Sequence, residues 1–144
     1  DIPAGATIGI PNDPSNGARA LLMLADKGFI EVKDKNSVTT TVADITKNDK
    51  KYKIQELDAA SIPKAMPDLD IAVINANYAL VAKLNPSKDS LLIERNDNPF
   101  LNVFVTTKAN EKDPRIAQLK KIYQSAENKK FIADHFKGTI TAGF

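Results

Sequence analysis

The sequence contains no cysteine, no tryptophan and a single histidine. Without cysteine the chain has no disulfide, no Cys-based zinc site and no thiol nucleophile. His135 has no second histidine to join it, so a transition-metal site would have to use carboxylates alone, which suit those metals poorly. We therefore expect no metal ion and no cofactor.

Long apolar runs and a strong charge excess are also missing. No apolar stretch approaches the ~18 residues that a membrane-spanning helix needs. The net charge is only +2 and aromatic residues make up 6% of the chain. Lysines alternate with acidic residues at 31–35 and 47–50, which is typical of a solvated surface, so nucleic acid is not an expected partner.

The motifs of nucleotide-binding and hydrolytic enzymes are absent too. The sequence has no Gly-x-Ser-x-Gly, no phosphate-binding loop with its lysine and no Gly-x-Gly-x-x-Gly. A metal-dependent or hydrolytic enzyme is therefore disfavoured, and we expect no catalytic residue. What the chain does have is an average hydrophobic content of 42% over 144 residues, enough for one domain with a core.

Strand-like and helix-like segments alternate along the chain. Residues 29–32 fit either a short strand or the tail of a helix, and residues 38–43 fit either a strand or a helical turn. The continuous apolar run at 71–74 predicts a central parallel strand covered on both faces. Together the pattern predicts an α/β fold with an open, mostly parallel sheet flanked by helices. The predicted strands are 6–10, 52–57, 71–74, 91–94 and 101–106, and the predicted helices are 15–27, 59–66, 77–84, 114–124 and 127–136.

The junction between the first strand and the first helix has the features of a carboxylate-binding site. A Pro-Asn-Asp-Pro turn at 11–14 ends the strand, and Ser15 or Asn16 is expected to cap the helix. Arg19 is expected in the first helical turn. A ligand carboxylate there would meet backbone N–H groups, the positive end of the helix dipole and a guanidinium group. The alternative is that Arg19 is only an exposed helix residue.

Three further asparagines lie at two places in the predicted fold. Asn75 and Asn77 follow the strand 71–74, where their amides could pair with both charged ends of an amino acid. The alternative is that one of them caps the next helix. Asn102 lies within the predicted strand 101–106, where a buried amide requires a partner, either backbone or ligand.

These segments resemble the methionine-binding lipoprotein family of the MetQ/NlpA type. The resemblance implies a two-lobed fold like that of periplasmic binding proteins. It also implies that Arg19 pairs with the ligand carboxylate and that Asn77 and Asn102 hydrogen-bond the backbone of an amino acid. Asn16 and Asn75, which belong to the matching motifs, complete the predicted ligand-binding set. The motifs that carry the resemblance are PNDPSNGARAL (11–21), AVINANYA (72–79), LNPSKD (84–89), NPFLN (98–102) and YQS (123–125).

The resemblance also predicts the surroundings of the chain. Residues 1–100 would form the second ligand-binding lobe, and residues 101–144 would return toward a first lobe that this sequence lacks. The expected partners are L-methionine or a related amino acid or dipeptide, and the permease and ATPase of an ABC importer. Family members are held at the cell envelope by a lipidated cysteine, also absent here, and an uncovered sheet edge would favour a dimer or a swapped assembly.

Two other functions fit the same architecture. One is the effector-sensing domain of a transcription regulator, which would need a helix-turn-helix segment that this sequence does not contain. The other is a surface lipoprotein with an adhesive or interaction role.

Overall fold

The computed structural model describes residues 2–95 and 99–144. The chain divides into two compact units, Asp1–Leu84 and Asn85–Phe144, and each is described by itself. The functional division at residue 100 stays a prediction.

The first unit alternates strands and helices as the sequence predicts. Short 3₁₀ turns at Val42–Asp44 and Met66–Asp68 complete it. Its elements in chain order are β1 (Thr7–Pro11), α1 (Pro14–Asp26), β2 (Glu31–Val32), β3 (Ile45–Lys47), β4 (Lys53–Leu57), α2 (Ile62–Ala65), β5 (Ile71–Ala72) and α3 (Ala76–Val81).

The main sheet has the order β4-β1-β5, and all of its strand pairs are parallel. The register pairs Ile8 of β1 with Ile54 of β4 and with Ile71 of β5. A separate antiparallel pair joins β2 to β3. The open, mostly parallel sheet flanked by helices confirms the predicted fold class.

The prediction that the run 71–74 is the central strand is wrong. Within the described residues β5 flanks one side of β1, and residues 71–74 are only partly buried. The centre is β1, whose Ile8 and Ile10 are fully buried. An apolar run of four residues suits a covered strand, but strand order is set by pairing along the whole chain, which local composition does not encode.

Helix α1 packs on the sheet through the predicted apolar stripe. Leu21 and Leu24 are each 1% exposed, Ala25 is buried, and Leu22 lies at the margin of the same cluster. The helix ends at the C-cap Lys27, and Gly28 follows with φ of 76°, a conformation that glycine adopts without strain.

The start of α1 differs from the prediction. The N-cap is Asp13, not Ser15 or Asn16, and Arg19 lies in the second turn rather than the first. Pro14 explains the shift, because its fixed φ and missing N–H suit the first helical position and leave the capping position to the residue before it.

The second unit contains α4 (Pro86–Asp89), α5 (Pro114–Tyr123) and α6 (Ala126–Phe136). The last two confirm the predicted helices 114–124 and 127–136. Asp113 caps α5 by accepting a hydrogen bond from the backbone N–H of Arg115, and Ser125 caps α6 in the same way from Asn128.

The predicted strands 91–94 and 101–106 are wrong, because the described residues of the second unit form no strand. Val103 is 77% exposed and Val105 is 88% exposed. A β-strand is stable only when a neighbouring strand accepts its backbone hydrogen bonds, and none of the described strands pairs with this segment.

Candidate functional site

The carboxyl ends of β1 and β5 place two loops at the same edge of the sheet. Strand β1 ends at Pro11 and leads into α1, while β5 ends at Ala72 and leads into α3. The pairing continues past β5, since the Val73 N–H donates to the Gly9 carbonyl at 2.9 Å. In open α/β sheets this edge is where ligands bind.

The N-terminus of α1 is built around the Asp13 carboxylate. Its Oδ1 accepts a hydrogen bond of 3.0 Å from the backbone N–H of Asn16. That backbone hydrogen bond holds the pKa of Asp13 below its ordinary value of 3.8, with partial burial opposing it and the Asn16 side chain adding to it. Asp13 is therefore an anion at neutral pH and can act only as a hydrogen-bond acceptor.

Gly17 brings this end of the helix close to the strand that precedes it. A Cβ atom at Gly17 would lie 2.9 Å from the carbonyl oxygen of Pro11, which is closer than such atoms approach in proteins. The absence of a side chain is therefore what lets α1 begin directly against the end of β1.

Three polar side chains form a chain of hydrogen bonds across this edge. The Asn16 Nδ2 donates to both carboxylate oxygens of Asp13, at 3.1 and 3.0 Å. The Asn16 Oδ1 accepts a hydrogen bond of 2.7 Å from the Nδ2 of Asn75, which lies 59 residues further along the chain. We call this set Asp13–Asn16–Asn75 the amide relay.

The relay ends in an unpaired atom. In the described parts of the chain, the Asn75 Oδ1 is buried and has no hydrogen-bond partner. Asn75 occupies the N-cap position of α3, yet its side chain makes no capping hydrogen bond. The alternative in which Asn75 serves as a side-chain helix cap is therefore wrong.

Arg19 and Asn77, two further predicted site residues, lie outside the amide relay. Arg19 is half-buried and follows Asn16 by three residues on α1, so the two side chains share a helix face. Asn77 is exposed near the start of α3. The structure thus brings Asn16 and Asn75 into direct contact. Arg19 lies on α1 with Asn16, and Asn77 lies on α3, the helix that begins directly after Asn75.

Asn102 belongs to the second unit and is exposed, so the expectation of an amide buried in a strand is wrong. Asn98, which contributed to the motif at 98–102, lies outside the described residues. The ligand-binding roles of Arg19, Asn16, Asn75, Asn77 and Asn102 stay predictions.

Sequence reasoning missed Asp13 as a member of the site. The available signal was its position directly before Pro14, because an acidic residue followed by proline is typical of an N-cap followed by the first helical residue.

The described residues hold no cluster of three or more His, Asp or Glu side chains that could bind a metal ion. Over the same residues, no helix combines the length and apolar character that crossing a bilayer requires.

A parallel sheet with polar side chains gathered beyond its carboxyl edge is typical of α/β proteins that bind small ligands. The model of the NlpA lipoprotein family matches residues 1–144, and the chain belongs to that family. The resemblance found in the sequence motifs is thereby confirmed.

Relatives of known structure and name agree with this assignment. A nutrient-binding protein from Burkholderia cenocepacia, solved bound to methionine, is 45% identical with a TM-score of 0.87, and the match covers 100% of this chain and 61% of that one. The D-methionine-binding lipoprotein MetQ of Salmonella typhi is 38% identical over 141 residues, covering 93% of this chain and 52% of the relative.

A third relative, the membrane lipoprotein TpN32 of Treponema pallidum, is 36% identical over 138 residues, covering 96% of this chain and 52% of the relative. The chain spans about half the length of the curated relatives it matches.

Proposed function

We propose that this chain forms a ligand-binding lobe of a solute-binding protein that captures methionine or a closely related amino acid or dipeptide. The observation that carries the proposal is the amide relay, which joins the N-terminus of α1 to the loop after β5 at one edge of the parallel sheet. The methionine-bound Burkholderia relative, at 45% identity, supports the choice of ligand class.

The site offers complementary groups for the two charged ends of an amino acid. Arg19 would hold the carboxylate. The amide oxygens of Asn75 and Asn77 would accept hydrogen bonds from the ammonium group. This is recognition by fixed hydrogen bonds without covalent chemistry, in keeping with relatives that are named as binding proteins.

Delivery to an ABC importer is part of the same proposal. In it, residues 1–100 contribute the second lobe, residues 101–144 run back toward the first lobe, and the two lobes close around the ligand. The partners would be the permease and ATPase of the importer at the cell envelope. The name of the Treponema pallidum relative, a membrane lipoprotein, supports this location.

The proposal is tested by replacing Arg19 and measuring methionine binding. Isothermal titration with L-methionine, carried out on the longest polypeptide that contains this chain, should give saturable binding. Arg19→Ala should lower the affinity by about 3–5 kcal/mol, because a desolvated carboxylate would lose its charged partner.

Arg115→Ala is the matched control. Arg115 is an exposed arginine that pairs with Asp113 in the second unit, at 2.7 Å, and its loss should leave methionine binding unchanged. If the unaltered protein gave no binding heat with L-methionine, the proposed ligand would be wrong. If Arg19→Ala bound normally, Arg19 would not belong to the site.

A further inference from the structure

The amide relay has a fixed direction, and Asp13 sets it. A carboxylate only accepts hydrogen bonds, so Asn16 has to turn its Nδ2 toward Asp13. The Asn16 Oδ1 then faces Asn75, so Asn75 has to donate a hydrogen bond to it from its own Nδ2. Each side-chain amide has one donating and one accepting end. The orientation of Asn16 is therefore fixed by Asp13, and the orientation of Asn75 is fixed by Asn16.

The consequence appears at the far end of the relay. The Asn75 Nδ2 is used within the relay, and among the described residues the buried Asn75 Oδ1 has no hydrogen-bond partner. The same oxygen would have found a backbone N–H had Asn75 capped α3, as residues at that position commonly do. A buried acceptor kept without a partner is unfavourable for folding, which indicates that its donor arrives from elsewhere.

We propose that Asp13 is a positioning residue that sets the hydrogen-bond polarity of the site, so that Asn75 presents an acceptor to the amino group of the ligand. The inference rests on the proposed function, and it gives the reason why the site would favour a ligand with an N–H donor. The Asn75 Oδ1 is covered in this structure, so we expect ligand entry to displace the groups that cover it.

The decisive variant is Asp13→Asn, which keeps the shape of the side chain and inverts the relay. The new amide oxygen still accepts from the backbone N–H of Asn16, so the new Nδ2 faces the Asn16 side chain. The Asn16 Nδ2 would then face this new donor at the position where it met the second carboxylate oxygen at 3.0 Å. Because two N–H donors repel each other, we expect Asn16 to turn its Oδ1 toward residue 13 and its Nδ2 toward Asn75. Asn75 turns in response, and a donor replaces the acceptor at the end of the relay.

The readout is discrimination between two ligands that differ only in the amino group. L-methionine and 4-(methylsulfanyl)butanoate share the carboxylate and the thioether, and only the first carries an ammonium group. Measured by titration on the longest polypeptide that contains this chain, the unaltered protein should prefer L-methionine roughly ten- to hundredfold. Asp13→Asn should lose most of that preference, whereas a purely structural role would weaken both ligands equally.

A double variant provides the rescue. In Asp13→Asn combined with Asn16→Asp, the carboxylate moves one step along the relay and again accepts from the Asn75 Nδ2. The acceptor at the end of the relay returns, and so should the preference for L-methionine. The control is Asp113→Asn, the same substitution at the N-cap of α5, which should leave the preference unchanged.

Asp13→Ser covers the case in which Asp13→Asn does not fold. Serine is a good N-cap, but its hydroxyl both donates and accepts, so the preference should fall without loss of the helix. Retention of the full preference in a folded Asp13 variant would overturn the positioning role while leaving the proposed function intact. Absence of L-methionine binding by the unaltered protein would instead overturn the proposed function and this inference with it.

Discussion

Replacing Gly17 by alanine should destabilise the protein, although the same change stabilises most helices. Gly17 is buried on the side of α1 that meets β1, and an added Cβ would lie 2.9 Å from the Pro11 carbonyl oxygen. That oxygen belongs to a strand paired in register with β4, and the next residue, Asn12, donates to the Leu57 carbonyl at 2.8 Å. Neither backbone can yield without breaking hydrogen bonds.

The sign of the effect follows from two opposing magnitudes. Alanine gains about 0.5–1 kcal/mol over glycine in a helix interior, because it loses less backbone entropy on folding. An overpacked contact that forces a backbone shift costs about 1–3 kcal/mol. We therefore expect Gly17→Ala to lower the free energy of unfolding by about 1–2 kcal/mol, and Tm by roughly 2–4 °C for each kcal/mol.

Urea unfolding followed by circular dichroism measures this difference. Ser15→Ala is the control, because Ser15 is exposed in the first turn of the same helix. This substitution should change the free energy of unfolding by no more than about 0.5 kcal/mol. If Gly17→Ala were as stable as the unaltered protein, or more stable, the close approach of α1 to β1 would not be the reason for glycine at this position.

Three further predictions concern acid stability, the core and the site. The backbone and side chain of Thr41 donate hydrogen bonds to the Asp44 carboxylate and lower the pKa of Asp44 from 3.8 to about 2. The stabilising effect of the ionised Asp44 carboxylate is therefore fully present above pH 3.8 and is lost as the pH falls through about 2. The urea midpoint of Asp44→Asn should therefore lie below that of the unaltered protein at pH 7 and match it at the acid end, and a constant difference would contradict the linkage. Leu21→Ala should lower the free energy of unfolding by about 2–5 kcal/mol, because Leu21 is only 1% exposed. The control Leu119→Ala should lower it by less than about 1 kcal/mol, because Leu119 is 46% exposed, and equal urea midpoints for the two variants would refute this prediction. Asn102→Ala should weaken methionine binding by more than about 1 kcal/mol in a calorimetric titration, and an unchanged Kd would remove Asn102 from the site.

Helices with a clear apolar period were predictable from the sequence because their information is local. The spacing of Leu21, Leu24 and Ala25 indicated the buried face of α1, and Gly28 indicated its end. The cap was harder, because Asp13, Ser15 and Asn16 are all capping residues. The placement of Pro14 at the first helical position decided among them.

Strands were predictable only where the chain supplied their partners. β1 and β4 formed as expected because they pair with each other over five residues each. The segment 101–106 has an equally apolar pattern, yet it forms no strand and Asn102 is exposed. Its composition favours a strand, but hydrogen-bond pairing is a property of two segments, and one segment alone does not reveal it.

By itself, the sequence determined the residue types of the site, the alternation of strands and helices, and membership of a lipoprotein family. The tertiary structure decided that β1 lies at the centre of the sheet and that Asn16 and Asn75, 59 residues apart, share a hydrogen bond of 2.7 Å. The reason is that periodicity and capping act within a few residues, whereas strand order and register arise from contacts between distant segments. A relay that runs from Asp13 to Asn75 exists only once β1 and β5 lie side by side.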